Sequence, residues 1–512
     1  MTETFQRIGA IVRADFLIRF RRLSTLVIFL LLSFFAYVWI PDPASGKTLM
    51  QIGKGRVLYN SAAIGMATAV LATIFIGLVG FYVTSNAVQR DLNSRCGFVI
   101  ASTTMKTREY ILGKFAGNVV FLATFVCGFM LVSMAMVLVR GEAPLQPLIF
   151  AKQYAILVPS AIMFVAALSI VFESIPFLSG RFGDVVYFFF WIASLGIVAS
   201  SAENGHGGGV LRYFDFSAFG YLFDETVRTY HTKSMAIGQT TFDKTAPLRV
   251  IDGLHLSGDE WLTRITSTLS PIAILGLALL FFHRFDPARV RAHTARNGKW
   301  MQRLNAVAKP FTFPLTMMTR GGGAVLADAR TSIASVPLAA IAFIGITIAT
   351  LAGGHDVLLI GIAPAAIFIA DIASRERRAG TTGLVYAAPH LRERFVFWKL
   401  GSSIVVAALI LAAPVVHTAI TRPGSLVALL VGIAFLCAAA TSLGIISSNP
   451  KTFVVLFLTY WYIVVNDKGQ TAYFDFAGFY KTTPAWVTLL YAGLSVALIA
   501  AAEGVHRARL QE

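Results

Sequence analysis

The stretch SRERRAG, residues 374–380, follows the apolar run IGIAPAAIFIADIA at 360–373 and precedes TTGLVYAAP at 381–389. Four consecutive charged residues thus end a segment that avoids water almost entirely. A related cluster, QRDLNSRCG at 89–97, follows the apolar run that starts near residue 61. Apolar runs that alternate with basic elbows read as membrane-spanning helices joined by loops on the side that retains lysine and arginine.

Composition supports that solvent. Of 512 residues, 56% are hydrophobic and 13% charged, and mean hydropathy is +0.70, whereas a soluble globular chain carries about 25% charged residues. Crossing a hydrocarbon core of roughly 30 Å takes about 20 apolar residues as helix. Segments near 24–41, 61–86, 110–139, 149–176, 184–202, 263–285, 333–353, 356–373, 395–419, 424–447, 450–466 and 485–505 qualify. The expected fold is an all-α integral membrane protein of twelve transmembrane helices. An even number of crossings places both termini on one side. The ends and even-numbered connections hold 29 of the 43 lysines and arginines, so that side is the cytoplasm. The net charge of +17 is then a topological bias and not a nucleic-acid signal. The expected location is a plasma membrane of the bacterial inner-membrane kind, with the first apolar segment retained. Cys96, Cys127 and Cys437 fall in a cytoplasmic loop and inside two spans, where no exported disulfide is expected.

The chain also resembles itself. VRAD at 12–15 precedes the first span and VLAD at 325–328 the seventh. Arg90-Asp91 pairs with Arg375-Glu376, Gly97 with Gly380, Arg108-Glu109 with Arg392-Glu393, and Lys114 with Lys399. Arg181 and Trp191 match Lys451 and Trp461, and YFDFSAF at 213–219 matches YFDFAGF at 473–479. The order never breaks, and the second copy is shorter mainly in loops assigned outside, 42–59 and the stretch after YFDF. Six spans plus six, both beginning in the cytoplasm, make a parallel pseudo-dimer. Its expected parts are a first half at 1–286, a cytoplasmic linker with a second connecting helix at 287–332, and a second half at 333–512. The outer loop 203–262 belongs to the first half, and its own fold is not readable from the sequence.

Each elbow sets acid beside base, adds a glycine for a sharp turn, and continues through IASTTMKTREY at 100–110 or VYAAPHLRERF at 385–395 to a span opening near a lysine. Fixing topology and binding anionic headgroups is one use for such arginines; a docking surface is another. The pattern resembles the first cytoplasmic loop of ATP-binding-cassette permeases of the type-2 exporter family. There the loop is a coupling helix seated in a groove of the ATPase. The resemblance runs through Arg90, Asp91, Gly97, Arg108, Glu109 and Lys114, and through Arg375, Glu376, Gly380, Pro389, Arg392, Glu393 and Lys399. The first copy departs from it with Asp91 for glutamate, a longer gap to glycine, and Thr104 in place of Pro389. Residues 4–22, with Phe5, Ile8, Ile11, Val12, Phe16 and Leu17 at helical spacing among five arginines, read as an amphipathic surface helix. They resemble the family's connecting helix.

The resemblance implies further roles. Phe214, Asp215, Phe216, Phe474, Asp475 and Phe476 fall where the family has re-entrant helices closing the exit; interfacial anchoring is the plainer reading. Tyr187, Trp191, Tyr460 and Trp461 lie near mid-bilayer by helical rise, in the fifth span of each half, where the family lines its pathway. An apolar wall there suits a hydrophobic or amphiphilic cargo such as a lipid, drug or modified peptide. The implied partners are ABC ATPase subunits, two of them, at the cytoplasmic face, which would carry the ATP and magnesium; this chain itself needs no cofactor, metal or nucleic acid.

Other motifs point away from chemistry in this chain. SGKT at 45–48 has Pro41 where a phosphate loop needs glycine, and LSGDE at 256–260 lacks the second glycine of a cassette signature. The nine histidines show no HExxH, and no serine sits in a GxSxG elbow. Glu173, an acid near the inner end of the fourth span, reads as the ion-pair partner of Arg181. The rival class is a secondary transporter, which shares twelve spans in parallel halves but carries a GxxxDRxGRR loop that is missing here. A membrane scaffold or sensor, suggested by the long outer loop, is the third.

Overall fold

The computed structural model describes residues 2–282, except 22, 86, 176, 177, 179, 204–208, 233 and 255. It further describes 323–511, except 335–344, 352–355, 389, 481 and 482. Contacts divide the chain into two compact units, Met1–Ser179 with Val186–Arg291, and Gly180–Val185 with Ala292–Glu512. Most of the expected linker, 287–322, and Pro389 lie outside the described residues.

The molecule is mostly helical. Among the described residues six helices are long and apolar enough to cross a bilayer: Ser61–Leu92, Thr107–Arg140, Pro147–Ser174, Gly258–Phe281, Pro423–Ser447 and Ala485–Gln511. A seventh is added if Phe395–Ile410 and Ala412–Thr421, bent by 66° at their junction, form one span. Shorter apolar helices occupy Ile28–Trp39, Gly183–Gly196 and Leu358–Ile369. The chain is a multi-pass membrane protein by these helices. The 66° bend has a local cause: Pro414 follows the break at Leu411 and offers no N–H to the turn before it.

In the first unit, helix α1 (Thr2–Phe20) and α2 (Leu23–Trp39) lie along α7 (Thr107–Arg140). Glycines make the approach possible. A methyl group on Gly113 would stand 2.8 Å from Ile11, and one on Gly128 2.1 Å from the Phe29 ring. Small residues at a helix crossing allow this closeness, which sustains packing where no hydrophobic effect drives helices together. The face of α1 turned to α7 carries Asp15 and Arg19, both buried, while Phe5, Leu17, Ile18 and Phe20 are exposed. Apolar side chains on the outer face suit a helix lying against lipid.

Helix α3 (Ser61–Phe75) starts where Asn60 accepts the Ala63 N–H at 2.8 Å. It continues through a π-helical turn, Ile76–Gly80, into α4 (Phe81–Thr84). After it come α5 (Ala87–Asn93) and α6 (Cys96–Ser102), then α7, α8 (Pro147–Leu157), α9 (Pro159–Ser174), α10 (Arg181–Glu203), α11 (Phe219–Tyr230) and α12 (Gly258–Phe281).

The all-α expectation needs one correction. Strands β1 (Lys47–Ile52), β2 (Gly55–Arg56) and β3 (Met235–Thr241) form an antiparallel sheet in the order β2-β1-β3. The β1–β2 turn is the two residues Gly53-Lys54, with Gly53 at φ +66°, as a type II′ hairpin requires at its first central position. A side chain at Gly55 would meet the Pro247 carbonyl at 2.3 Å, so the loop closes over this hairpin. The two loops assigned outside, 42–59 and 203–262, therefore fold against each other. Arg56 and Glu142 pair bidentately at 2.6 and 2.7 Å, and Glu142 also receives the Tyr59 N–H at 3.0 Å. The Arg56 hydrogen bond is the main reason the Glu142 carboxyl is held below its ordinary range.

The second unit contains α13 (Gly323–Ala334), a helical stretch at 345–351, and the apolar helix Asp356–Ile369. Two elbow helices, Arg375–Ala379 and Thr382–Tyr386, lead to Phe395–Ile410 and its bent continuation, and Pro423–Ser447, Pro450–Asp467 and Ala485–Gln511 complete the unit.

Candidate functional site: two buried ion clusters

In the first unit Asp15, 4% exposed, accepts from Lys114 Nζ at 3.0 and 3.2 Å and from Arg90 at 2.6 Å. Lys114 also reaches Asp91 at 2.7 Å, and Asp91 accepts the Tyr110 hydroxyl at 2.8 Å. Three elements are thereby joined: the surface helix α1, the elbow helix α5, and the foot of α7. Arg19 extends the network to Asn118 at 2.7 Å, and Asn118 donates to Ser169 of α9 at 2.9 Å.

The second unit repeats the assembly with other residues. Lys399, fully buried, reaches Asp328 of α13 at 3.0 Å and Glu376 of the elbow at 2.5 Å. Arg375 lies 3.5 Å from Asp328, 3.8 Å from Asp371 and donates to Ser332 at 2.7 Å. Ser403, four residues after Lys399, meets Thr441 at 3.4 Å, as Asn118, four residues after Lys114, meets Ser169. Asp15 and Asp328 are the aspartates of VRAD and VLAD, so a match seen only as four letters is a matched pair of charges. A buried charge costs several kcal/mol unless it is paired and hydrogen-bonded. That penalty explains why the elbow acid, the foot lysine and the surface-helix aspartate occur together.

The elbow side chains consequently fall into three groups. Asp91, Glu109, Lys114, Glu376 and Lys399 are buried, Glu109 capping its own helix through the Lys106 N–H at 2.9 Å and accepting the Thr4 hydroxyl at 3.0 Å. Arg90 and Arg375 are half-buried, directed at the clusters. Arg108, Arg392 and Glu393 are exposed, Arg392 donating to the Leu510 carbonyl at 3.1 Å. Gly380 takes a left-handed turn at φ +69°, but Gly97 does not: the turn of the first elbow is at Arg95, φ +60°, and Gly97 is inside α6. The cluster aspartates of the two surface helices are the partners that sequence reasoning missed. Each lies at a fixed place within a repeated tetrapeptide, the signal that was available.

The four mid-helix aromatics are occupied within their own units. Tyr187 donates to the Gly77 carbonyl and stacks on Phe81 at 3.7 Å; a methyl on Gly77 would stand 2.6 Å from Trp191 Nε1. Trp461 donates to the Leu359 carbonyl at 2.6 Å, and Tyr460 to the Phe474 carbonyl at 3.0 Å. All four fasten a fifth-position helix to its neighbours, and a pathway role would require them to leave those contacts.

Both YFDF segments form the same turn. Asp215 accepts the Tyr221 N–H and the Ser217 hydroxyl at 3.0 and 2.8 Å; Asp475 accepts the Phe479 and Tyr480 N–H groups at 2.7 and 3.2 Å and the Thr483 hydroxyl. Three residues on, Ala218 and Gly478 both take positive φ. Phe216 stacks on Phe164 at 3.9 Å and Phe476 meets Phe435 edge-on at 6.0 Å, while Phe214 is exposed. The aspartates organise the turn rather than anchor to water, and the phenylalanines wedge it against a neighbouring helix.

Two sequence curiosities resolve locally. LSGDE is a capping box: Glu260 N–H donates to Ser257 at 3.4 Å and Ser257 N–H to Glu260 at 2.7 Å. SGKT is the end of a short 3-10 turn and the start of β1. Glu173 takes the Ala87, Val88 and Gln89 N–H groups at 2.9, 2.7 and 3.1 Å, capping α5; the Arg181 side chain lies outside the described residues. Among the described residues no three His, Cys, Asp or Glu side chains stand close enough to hold a metal ion. No family model, curated protein or solved structure matches the chain.

Proposed function

We propose that the chain is the permease subunit of an ATP-driven exporter of the type-2 ATP-binding-cassette kind, two six-helix halves in one polypeptide, moving a hydrophobic or amphiphilic cargo with ATP hydrolysed by separate subunits. The observation that carries this reading is the twin ion cluster. In each unit an elbow, a surface helix and the foot of a long apolar helix are locked by buried charge, so force applied to the elbow passes to that helix without being absorbed by loop motion. The matched turns at Asp215 and Asp475, and the stacks of Tyr110 on Phe282 and of Phe395 on His506, both rings 5.4 and 5.2 Å apart respectively, support a duplication. In the orientation set by lysine and arginine, both elbows face the cytoplasm of a bacterial inner membrane. ATP-driven closure of two docked ATPase subunits would then press both elbows and tilt the halves from inward-open to outward-open.

The experiment is co-purification with a cassette ATPase and its loss on charge reversal. Glu376 is the wrong position, because Lys399 needs it inside the protein. Arg108→Glu and Glu393→Lys alter exposed charges that no cluster uses. Loss of the ATPase from a normally folded double variant supports docking at the elbows. Cargo transport by the purified chain with an ion gradient alone, and no ATPase, would establish the secondary-transporter class instead.

A further inference from the structure

The geometry points to a binding site for a phosphate group on a short polar stem, as in an anionic phospholipid headgroup or free glycerol phosphate, at the foot of the second unit. A cavity of about 270 Å³ opens there between the elbow helices Arg375–Ala379 and Thr382–Tyr386 and the C-terminal turns of Pro423–Ser447 and Ala485–Gln511. Pockets that enclose a drug-sized ligand run from roughly 300 to 1,000 Å³. This one has room for a phosphate and its first few carbons.

Its wall is cationic and rich in donors. Arg377 borders the cavity and is exposed, and its guanidinium makes no hydrogen bond or ion pair among the described residues. Arg509 is fixed in place by donating to the Ile445 and Ile446 carbonyls at 2.6 and 2.8 Å. Thr382 and Tyr386 add hydroxyls. Burial pushes the Tyr386 phenol up, so it enters as a neutral donor. Each nearby carboxylate gives one oxygen to a cation, Glu376 to Lys399 and Glu503 to Arg507 at 2.8 Å. Arginine beside hydroxyl donors is the arrangement that recognises phosphate oxygens.

The comparison with the first unit sharpens the point. There the foot of α7 stacks on the end of α12 through Tyr110 and Phe282. In the second unit the same stack is Phe395 on His506, which is 3% exposed and has Nε2 2.8 Å from the Arg392 carbonyl. Packing alone is met by an aromatic hydrocarbon at this place. The imidazole's Nε2–H is given to that carbonyl, so the donors left for a phosphate are those of Arg377, Arg509, Thr382 and Tyr386. The cavity also lies where apolar helices end, at headgroup depth.

The test uses the purified full chain in detergent micelles, with no ATPase present, titrated with short-chain phosphatidylglycerol, short-chain phosphatidylcholine and glycerol phosphate. Retained ligand is read by native mass spectrometry and by the emission of Trp398, whose ring is 5.8 Å from Phe395. Phosphatidylglycerol or glycerol phosphate binds the native chain, and Arg377→Gln weakens it at least about tenfold, the loss expected for a charge-assisted hydrogen bond. Arg378→Gln, one residue along, leaves it unchanged. Binding of the lipid alone identifies a headgroup as the source; equal binding of both identifies a soluble phosphate. Undiminished binding by Arg377→Gln, an equal loss in Arg378→Gln, or binding of phosphatidylcholine as tight as of phosphatidylglycerol overturns the proposal. So does failure of both anions to bind while an acidic peptide does, since the cavity would then be a seat for a protein partner. The orientation proposed above places the site in the inner leaflet, but the titration does not depend on it, so failure here leaves the ATPase reading untouched and the reverse.

Discussion

Replacing Lys399 with methionine removes the cation that two buried carboxylates share. Among the described residues Asp328 would keep only Arg375 at 3.5 Å, and Glu376 would lose its one ion pair, while its Oε2 already has no hydrogen-bond partner there. Breaking a buried pair by removing one member costs about 3–5 kcal/mol, because the remaining charge stays desolvated. At about 2–4 °C per kcal/mol for a unit of this size, the melting transition of the second unit should fall by roughly 6–20 °C. Lys114→Met should cost less, since Asp15 retains Arg90 at 2.6 Å and Asp91 retains the Tyr110 hydroxyl. The decisive variant is the triple Asp328→Asn, Glu376→Gln, Lys399→Met, which removes every charge of the trio and should recover most of the loss. Tryptophan-fluorescence melting in detergent reads all three. A Lys399→Met protein that melts with the native chain, or a triple variant no better than the single, would refute the claim that an uncompensated buried charge sets the penalty. Under the proposed function the recovered triple variant should still lose the coupling of ATP hydrolysis to transport.

Three more outcomes follow from particular contacts. Gly77→Ala places a methyl 2.6 Å from Trp191 Nε1, an overpacking that should cost about 1–3 kcal/mol and appear as a lowered melting temperature with blue- or red-shifted tryptophan emission; an unchanged melt would contradict the close packing. Asp475→Ala strands the buried Phe479 N–H, the half-buried Tyr480 N–H and the Thr483 hydroxyl and should cost more than Asp475→Asn, which keeps an acceptor, as measured by the same melts. Acid should loosen the sheet: Glu142 has a lowered folded pKa, so its contribution is complete above the ordinary carboxylate value and disappears as pH falls through the folded one. With both side chains partly exposed the pair is worth about 1 kcal/mol at most. The protection of residues 47–57 against hydrogen exchange, taken relative to the intrinsic rate at each pH, should fall below about pH 4.3 in the native chain, and Glu142→Gln should abolish that acid dependence.

The long apolar helices were legible because a run that excludes charge for twenty residues has few alternatives in water. What resisted reading was anything that depends on a partner far along the chain. The short hairpin at IGKG is too brief to signal a strand by alternation, and β1 becomes one only because β3 arrives from residues 235–241. The elbow acids were visible as charges, but charge alone does not say whether a side chain faces a partner or the interior. Asp91 and Glu376 face inward because Lys114 and Lys399 need them. The break at Leu411 was announced by Pro414 and passed over within a long apolar segment, as was the one at Pro159 between α8 and α9. Gly97 was credited with a turn that Arg95 makes, since a left-handed residue at a helix start need not be glycine when its neighbours hold it there.

The ladder joining Lys47 to Thr241 and Ile52 to Met235 has a mechanical meaning of its own. Hydrogen-bonded strands resist stretching, so the chain ends entering α3 and leaving α11 are riveted into one plate, with Asn60 holding the Ile251 carbonyl at 2.7 Å as an extra bolt. Helices capped by such a plate swing as a block and do not splay one by one. Any widening of the first unit at that end must therefore be a rotation of the whole lid, or wait until the rivets shear.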